Sequence, residues 1–376
     1  MEDFARILFV VPGQLGDVLL ATPAIRAARE HWPAARIDVL GYEGTLDLLQ
    51  GNPDLDRLIE MPTGRSHWPA TLKLALRLWR RYDFALALRT GDRGHLAALL
   101  AAGRRSVLWP ADAGAWHWKR RLAHHGFVAA ADTSAVLAGV ELLRPWFDPP
   151  TTLSVQPPPP EPLPAGLEAQ LRRPCVIVHP PSMWRYKQWP LAGYRRVVEA
   201  LLSDGTQVVL SGGASANDMA SAEALRDAGD EPDLIVAAGR LRMRQLRALM
   251  ARADAYVGPD SSVTHLAAAV GLPVVAMYGP SQPQHFGPWP RGHAPQQPWQ
   301  RRAQRQQVGR VVLLQGPDRP GRPSCVPCNG MGCDQHRDSP SHCLESLSPE
   351  RVLAEVRALL RAAGATPRSR LERVAP

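Results

Sequence analysis

The sequence predicts an α/β protein with two consecutive, doubly wound, Rossmann-like domains. Its 376 residues exceed what one hydrophobic core usually organises. Short apolar runs alternate with helical patterns through both halves, which is typical of parallel βαβ units. A proline-dense segment at 157–164 separates the halves, because neither a helix nor a central strand tolerates such a run.

The first half opens with a β-loop-α-β unit and continues in the same rhythm. Its predicted elements are strand 6–11, a glycine-bearing loop 12–17, helix 18–31, strand 37–40, helix 72–81, strand 84–88 and a short strand 107–109. In such a unit consecutive strands are parallel and the crossover is right-handed.

The second half restarts the βα rhythm after the prolines. The predicted elements are strand 175–179, helix 191–203, strand 207–210, helix 217–228, strand 234–237, helix 242–251, strand 255–257, helix 263–270, strand 274–278 and a last helix 349–363. The Gln-, Arg- and Pro-rich tract 288–323 is predicted to be an irregular insertion.

These patterns place one domain at residues 1–160, a second at 161–365 and a tail at 366–376. Ligands of doubly wound sheets bind outside the carboxyl ends of the strands. Two such domains facing each other are therefore expected to bind substrates in the cleft between them.

Composition limits the class of protein. No apolar run approaches the ~20 residues that a membrane-spanning helix needs. Pro12 and Gly13 interrupt the first apolar run, so no secretory signal is predicted and the cytoplasm is the expected compartment. The net charge of +9 favours an acidic partner. Arginines scattered over helices, with no aromatic-and-basic motif, argue against nucleic acid.

Four of the five cysteines lie in the segment 325–343, namely Cys325, Cys328, Cys333 and Cys343. So many thiols so close together in a cytoplasmic chain suit tetrahedral zinc or iron better than disulfides. Unmetallated thiols in a loop are the alternative. A metal here is expected to be a structural clip. Cys175 begins an apolar run and is predicted to be buried.

Three loops carry residues suited to chemistry. The loop PGQLGD at 12–17 places Asp17 after the first strand, where the residues alone indicate a helix cap. The loop HPPSMWRYKQWP at 179–190 supplies Ser182 and Lys187, which would hold a diphosphate unless the loop is merely basic and solvent-facing. The segment GPDSSVTHLAAA at 258–269 starts a helix with Ser261 and Ser262, either an anion site or an ordinary cap.

These blocks, with VLLATPAIR at 18–26 and Asn52, Pro53 and Asp56 in a following loop, resemble glycosyltransferase family 9, the heptosyltransferases. The resemblance covers most of the chain and implies a GT-B fold, two Rossmann-like domains facing across a cleft. By this resemblance Asp17 is the general base and Lys187 binds the donor. It also implies the following further roles: Gln14 and Gly16 on the acceptor side; Ser182, Ser261 and Ser262 at the phosphates; Asp260 at the donor sugar; and His265 supporting the loop or the phosphates.

Two departures from the family pattern stand out. Ser262 occupies a position where the family usually has Gly, and its side chain narrows the approach to phosphate. Where many members have a ribose-binding Glu, this chain offers Asn217 or Asp218. Leu241 falls where the family forms its base pocket.

The resemblance implies an inverting transfer of heptose from ADP-heptose to a lipopolysaccharide core. No Asp-x-Asp occurs in the three loops, so catalysis is expected to need no metal or other cofactor. The basic enzyme is expected to work peripherally at the inner membrane, with residues 116–127 as a candidate contact. The alternatives are another nucleotide sugar or a protein acceptor, an epimerase or hydrolase, and a non-catalytic sugar-nucleotide-binding protein.

Overall fold

A computed structural model describes residues 3–63, 68–109, 122–130, 132–226 and 231–365. The chain divides into two units. Unit 1 comprises Met1–Pro159 with Gly292–Gln297, and unit 2 comprises Pro160–Arg291 with Pro298–Pro376. The tail predicted at 366–376 lies outside the described residues.

Unit 1 is an α/β domain. Its strands are β1 Arg6–Val11, β2 Arg36–Tyr42, β3 Arg57–Met61, β4 Tyr82–Ala87, β5 Ala102–Trp109 and β6 His125–Val128. Its helices are α1 Leu15–Leu20, α2 Thr22–His31, α3 Trp68–Leu78, α4 Asp92–Ala101 and α5 Ala135–Glu141, with a 3-10 turn at Leu46–Leu49. The two strands not predicted from sequence, β3 and β6, are the two edges of the sheet.

The described strands of unit 1 form a parallel sheet in the order β3-β2-β1-β4-β5-β6. In β1, Phe9 aligns with Val39 of β2 on one side and with Leu86 of β4 on the other. This is the strand order of a dinucleotide-binding Rossmann domain. The order reverses between β1 and β4, so their carboxyl ends form the switch point where such sheets bind ligands.

The single helix predicted at 18–31 is wrong in detail, because the structure has two helices. α1 ends at Leu20, and α2 begins at Thr22 with Pro23 in its first turn. Proline has no backbone N–H and is tolerated at a helix start but not in the interior. The hydroxyl of Thr22 donates to the Leu19 carbonyl at 2.7 Å, which stabilises the junction.

Unit 2 is a second α/β domain. Its strands are β7 Cys175–Val178, β8 Gln207–Leu210, β9 Leu234–Val236, β10 Ala255–Pro259, β11 Val274–Tyr278, β12 Arg305–Val308 and β13 Val311–Gln315. Its helices are α6 Ala165–Glu168, α7 Leu191–Ser203, α8 Ala216–Arg226, α9 Met243–Met250, α10 Ser262–Val270, α11 Pro283–Phe286, α12 His342–Glu345 and α13 Pro349–Ala362, with a 3-10 turn at Arg185–Lys187.

The described strands of unit 2 are ordered β12-β13-β11-β10-β7-β8-β9. From β9 to β13 they are parallel and repeat the topology of unit 1, with the switch point between β7 and β10. The two-domain Rossmann-like prediction is therefore confirmed.

The prediction of an irregular insertion at 288–323 is wrong for its centre. β12 and β13 form an antiparallel hairpin that turns at Gly309, whose φ of 56° is left-handed. β13 also pairs in parallel with β11, as Leu313 opposite Ala276 shows, and so extends the sheet. The buried run VVLLQ of β13 was the available signal.

Each unit has its own hydrophobic core. In unit 1, Leu8, Val10, Ala85 and Ala87 of the central strands are completely buried. In unit 2, α13 packs on α7 and on the sheet, and Trp189 donates its indole N–H to the Leu347 carbonyl at 3.0 Å. No helix in the described ranges has the length and hydrophobicity needed to cross a bilayer.

The loop after the 3-10 turn of unit 1, which carries part of the family resemblance, has a structural role. Buried Asp54 pairs with Arg26 at 2.7 Å, and Asp56 pairs with Arg29 at 2.6 Å. Asp56 also accepts from the Ile37 amide at 2.7 Å. Burial opposes ionisation of Asp56, but these hydrogen bonds and Arg29 lower its pKa.

Candidate active site

The candidate residues of unit 1 lie at its switch point. Asp17 follows β1, and its carboxylate accepts from the Gln14 amide at 2.9 Å. Asp17 is the third residue of α1 and completes a capping box with Gln14, rather than being the cap itself. Gly13 is needed here, because a Cβ at that position would lie 2.6 Å from Asp17 Oδ2.

Arg89 is a site residue that the sequence analysis missed. Its Nη1 lies 2.9 Å from Asp17 Oδ1, and the Asp17 side chain is 18% exposed. Arg89 follows the end of β4, the strand on the other side of the switch point. Applying the rule of carboxyl strand ends to β4 as well as β1 would have found it. Asp17 is thus fixed by one donor on each oxygen while remaining accessible.

In unit 2 the structure brings Ser182, Lys187 and Asp260 together. Lys187 Nζ lies 2.7 Å from Asp260 Oδ2. The Ser182 hydroxyl donates to the Asp260 backbone carbonyl at 3.2 Å, which ties the loop after β7 to the loop after β10. Lys187 also lies 5.4 Å from the centre of the Phe286 ring, a cation–π contact that the sequence did not predict.

The electrostatics of this cluster centre on Asp260, which is 6% exposed. Burial opposes its ionisation, but the charge of Lys187, hydrogen bonds from Lys187 and Ser281, and His265 together lower its pKa. A buried carboxylate of this kind holds the Lys187 ammonium in place. Lys187 is therefore positioned before any ligand arrives.

The start of α10 is a rigid turn. The side chain of Ser261 caps the helix by accepting from the Thr264 amide at 3.4 Å. Thr264 donates to the Pro259 carbonyl at 2.5 Å and contacts the Tyr256 hydroxyl at 2.9 Å. The helix therefore begins with its first amides directed along the axis, as an anion site requires. Ser262 is its first residue, half-buried, and His265 is buried in the next turn.

Of the residues predicted for the nucleoside, Asn217 and Asp218 lie in the first turn of α8, and Leu241 lies in the loop between β9 and α9. Asp218 is engaged in the cap of α8, where it accepts from the Gly213 amide and the Ser215 hydroxyl, both at 2.8 Å. Asn217 is exposed and Leu241 is half-buried. The Gly239 amide donates to the Gly212 carbonyl at 3.1 Å, so the loops that follow β8 and β9 are joined. Of the predicted ribose pair, Asn217 has the more available side chain.

His179 directly follows β7 and is buried. Its Nδ1 lies 3.0 Å from the Ser211 hydroxyl at the end of β8. Burial lowers the pKa of His179 to about 4, although Asp218 and Ser211 act in the opposite direction. The neutral imidazole therefore links two loops of the candidate site.

This depressed pKa predicts acid sensitivity. Unfolding exposes an imidazole that gains a proton below about pH 6.5, whereas the folded one resists protonation down to about pH 4. Stability is therefore complete above that window and falls as the pH drops through it. Between pH 7 and pH 5, His179 should cost the wild type on the order of 2 kcal/mol of unfolding free energy. His179→Gln should not show this part of the loss. Denaturant titrations at both pH values measure this, and equal losses in the two proteins would contradict it.

The four clustered cysteines line one cavity of about 60 Å³ with His342. Burial raises the pKa of Cys343 to about 12, and the other three cysteines add to the effect. Within the described ranges, however, no three His, Cys, Asp or Glu side chains form a group that could hold a metal ion. The metal at these thiols therefore stays a prediction.

The sequence is similar to known glycosyltransferases. Residues 71–308 match the model of glycosyltransferase family 9 (heptosyltransferase). Lipopolysaccharide heptosyltransferase 3 of Escherichia coli K12 is 28% identical over 285 residues, covering 73% of this chain and 82% of that protein. Lipopolysaccharide heptosyltransferase 1 of Pseudomonas aeruginosa is 25% identical, covering 94% of this chain and 98% of its own length.

Solved structures show the fold. The ADP-heptose lipopolysaccharide heptosyltransferase II of E. coli superposes with a TM-score of 0.69 at 22% identity, covering 96% of this chain and all of that one (100%). The predicted GT-B fold of two Rossmann-like domains is confirmed by this likeness together with the two sheets described above.

Proposed function

Because the chain belongs to glycosyltransferase family 9 and is therefore a sugar-transferring enzyme, we propose that it moves heptose from ADP-heptose to a lipopolysaccharide core. Similarity to the heptosyltransferases of E. coli and P. aeruginosa supports the sugar and the acceptor class. The proposal assigns the acceptor hydroxyl to the Asp17 loop of unit 1 and the nucleotide sugar to the switch-point loops of unit 2.

In the proposed reaction the acceptor hydroxyl oxygen bonds to the anomeric carbon while the bond from that carbon to the diphosphate breaks. The bonding electrons leave with ADP, and the hydroxyl proton passes to Asp17. A single displacement inverts the anomeric configuration. Asp17 suits the role of base because an attacking alcohol becomes more acidic as its bond forms, and a fixed carboxylate within reach can accept the proton. Arg89 and the Gln14 amide hold that carboxylate in one orientation.

The observation that carries the donor side is the buried pair of Lys187 and Asp260 at 2.7 Å. The departing diphosphate develops negative charge, which a fixed ammonium in a poorly solvated place stabilises strongly. The start of α10 adds backbone amides and the positive end of the helix dipole. Lys187 and the Ser261–Ser262 turn thus form an electrostatic cradle for the leaving group, and the proposal needs no metal or other cofactor.

A donor screen tests the proposal. ADP-heptose, UDP-sugars and GDP-sugars are compared by thermal shift, and the best ligand is then assayed for transfer to cores of defined length by mass spectrometry. We expect ADP-heptose alone to stabilise the protein, by about 2.7 kcal/mol at about 100 times its dissociation constant. We also expect a product heavier by one heptose. Stabilisation by a different nucleotide sugar, or donor consumption without acceptor, would reject the proposal.

A further inference from the structure

Helix α3 of unit 1 has two apolar faces. Leu78 is buried in the core of the unit and Leu74 packs beside it. Leu72, Leu76 and Trp79 are spaced four and three residues apart and lie on a different side of the helix, where they are 48%, 70% and 58% exposed. Trp79 stays on this stripe because its amide still donates to the Ala75 carbonyl at 3.0 Å. An outward stripe of three large apolar side chains is uncommon unless something covers it.

The stripe is bordered by positive charge. Between Glu60 and Asp83 the sequence has several arginines and Lys73 but no acidic residue. Lys73, Arg77, Arg80 and Arg81 are all exposed. In the part of the chain that the structure describes, none of these four side chains has a carboxylate partner. At helical spacing, Lys73 and Arg77 fall along one flank of the stripe, and Arg80 and Arg81 follow the end of the helix.

These features identify the surface that would cover the stripe. A helix with Leu and Trp on one face and unpaired cations beside it suits the interface of an anionic bilayer, where the apolar face enters and the cations meet phosphates. A second copy of the chain is a poor fit, because a two-fold contact would place the same cations opposite each other. Trp79 at the end of the stripe suits the boundary between headgroups and acyl chains.

We propose that Leu72, Leu76 and Trp79, with Lys73, Arg77, Arg80 and Arg81, form the surface by which the enzyme binds an anionic membrane. The inference rests on the proposed function for its purpose, since a lipopolysaccharide acceptor is anchored in a bilayer. It moves the expected contact from residues 116–127, of which 116–121 lie outside the described residues, to the exposed face of α3.

Vesicle flotation of the full-length enzyme tests the surface without donor or acceptor. Vesicles of phosphatidylethanolamine with phosphatidylglycerol are compared with vesicles of phosphatidylcholine. Leu72→Gln/Leu76→Gln/Trp79→Gln keeps helix-forming residues and is expected to reduce binding by about tenfold or more. Lys73→Gln/Arg77→Gln/Arg81→Gln is expected to lose about fivefold per charge at low salt. Leu191→Gln/Arg196→Gln, which alters an exposed leucine and arginine on α7, is the matched control and should bind as the wild type.

A second readout locates the contact. Vesicles with brominated acyl chains quench the fluorescence of tryptophans that reach the bilayer. The wild type should therefore be quenched more strongly than Trp79→Phe. Equal binding by the wild type and the Gln variants would overturn the inference. The inference would also be overturned if the stripe held a dimer together. In that case the wild type would not bind vesicles, and light scattering would give the apolar variant a smaller mass than the wild type. Vesicle binding without donor binding would reject the proposed function but leave this surface standing, and the reverse result would do the opposite.

Discussion

Asp17→Asn is expected to lower kcat by about 10²- to 10⁴-fold while leaving donor affinity unchanged. The amide keeps an oxygen that accepts from the Gln14 N–H, so the capping box survives, but it cannot take up the acceptor proton. Donor affinity is preserved because every residue assigned to the nucleotide sugar belongs to unit 2. Single-turnover transfer measures the chemical step, and thermal shift with ADP-heptose measures donor binding.

Two further variants separate basicity from local structure. Asp83→Asn alters an acid that pairs with Arg6 at 3.3 Å near the start of β4, away from the carboxyl strand ends, and should keep wild-type turnover. Arg89→Gln leaves the Asp17 carboxylate in place but removes its partner at 2.9 Å, so kcat should fall less than in Asp17→Asn. A turnover of Asp17→Asn equal to that of Asp83→Asn would mean that another group is the base.

Where a local pattern decides the geometry, the site could be predicted from the sequence. The alternation of apolar runs and helices predicted parallel strands, and parallel strands place the loops that follow them at one edge. That was enough to bring Ser182 and Lys187, after β7, beside Asp260, after β10, although more than seventy residues separate them. The sequence did not show that the Lys187 charge is satisfied by Asp260 rather than waiting free for a ligand.

The sequence was less informative where a residue acts through a distant partner. The position of Arg89 just after β4 predicts that it lies at the same edge of the sheet as Asp17. It does not predict that the two side chains meet, because that contact depends on β1 and β4 being adjacent, and strand order is a tertiary property. Phe286 reaches Lys187 from a short helix that carried no motif. The hairpin of β12 and β13 was obscured by its Gln- and Arg-rich first strand, because an edge strand need not alternate as clearly as a buried one.

Replacing Lys187 with Met is expected to lower kcat by about 10²- to 10³-fold, the usual effect of removing one group that stabilises transition-state charge. The measured loss would mix two causes, since the substitution also strands Asp260, whose side chain is only 7% exposed. Removing one partner of a buried pair costs about 3–5 kcal/mol of stability, because an uncompensated charge remains inside. Lys187→Met should therefore be both slow and less stable.

The double variant Lys187→Met/Asp260→Asn separates the two effects. Neutralising Asp260 removes the stranded charge, so the unfolding free energy should recover most of the loss while kcat stays low. Arg357→Met, which breaks an ion pair with Asp204 at 2.7 Å on the opposite side of unit 2 from the carboxyl strand ends, controls for loss of any charge pair and should transfer at the wild-type rate. Recovery of turnover together with stability would show that Lys187 serves only to neutralise Asp260. Recovery of stability alone, with a kcat below that of Asp260→Asn by itself, would mean that the ammonium acts on the departing diphosphate.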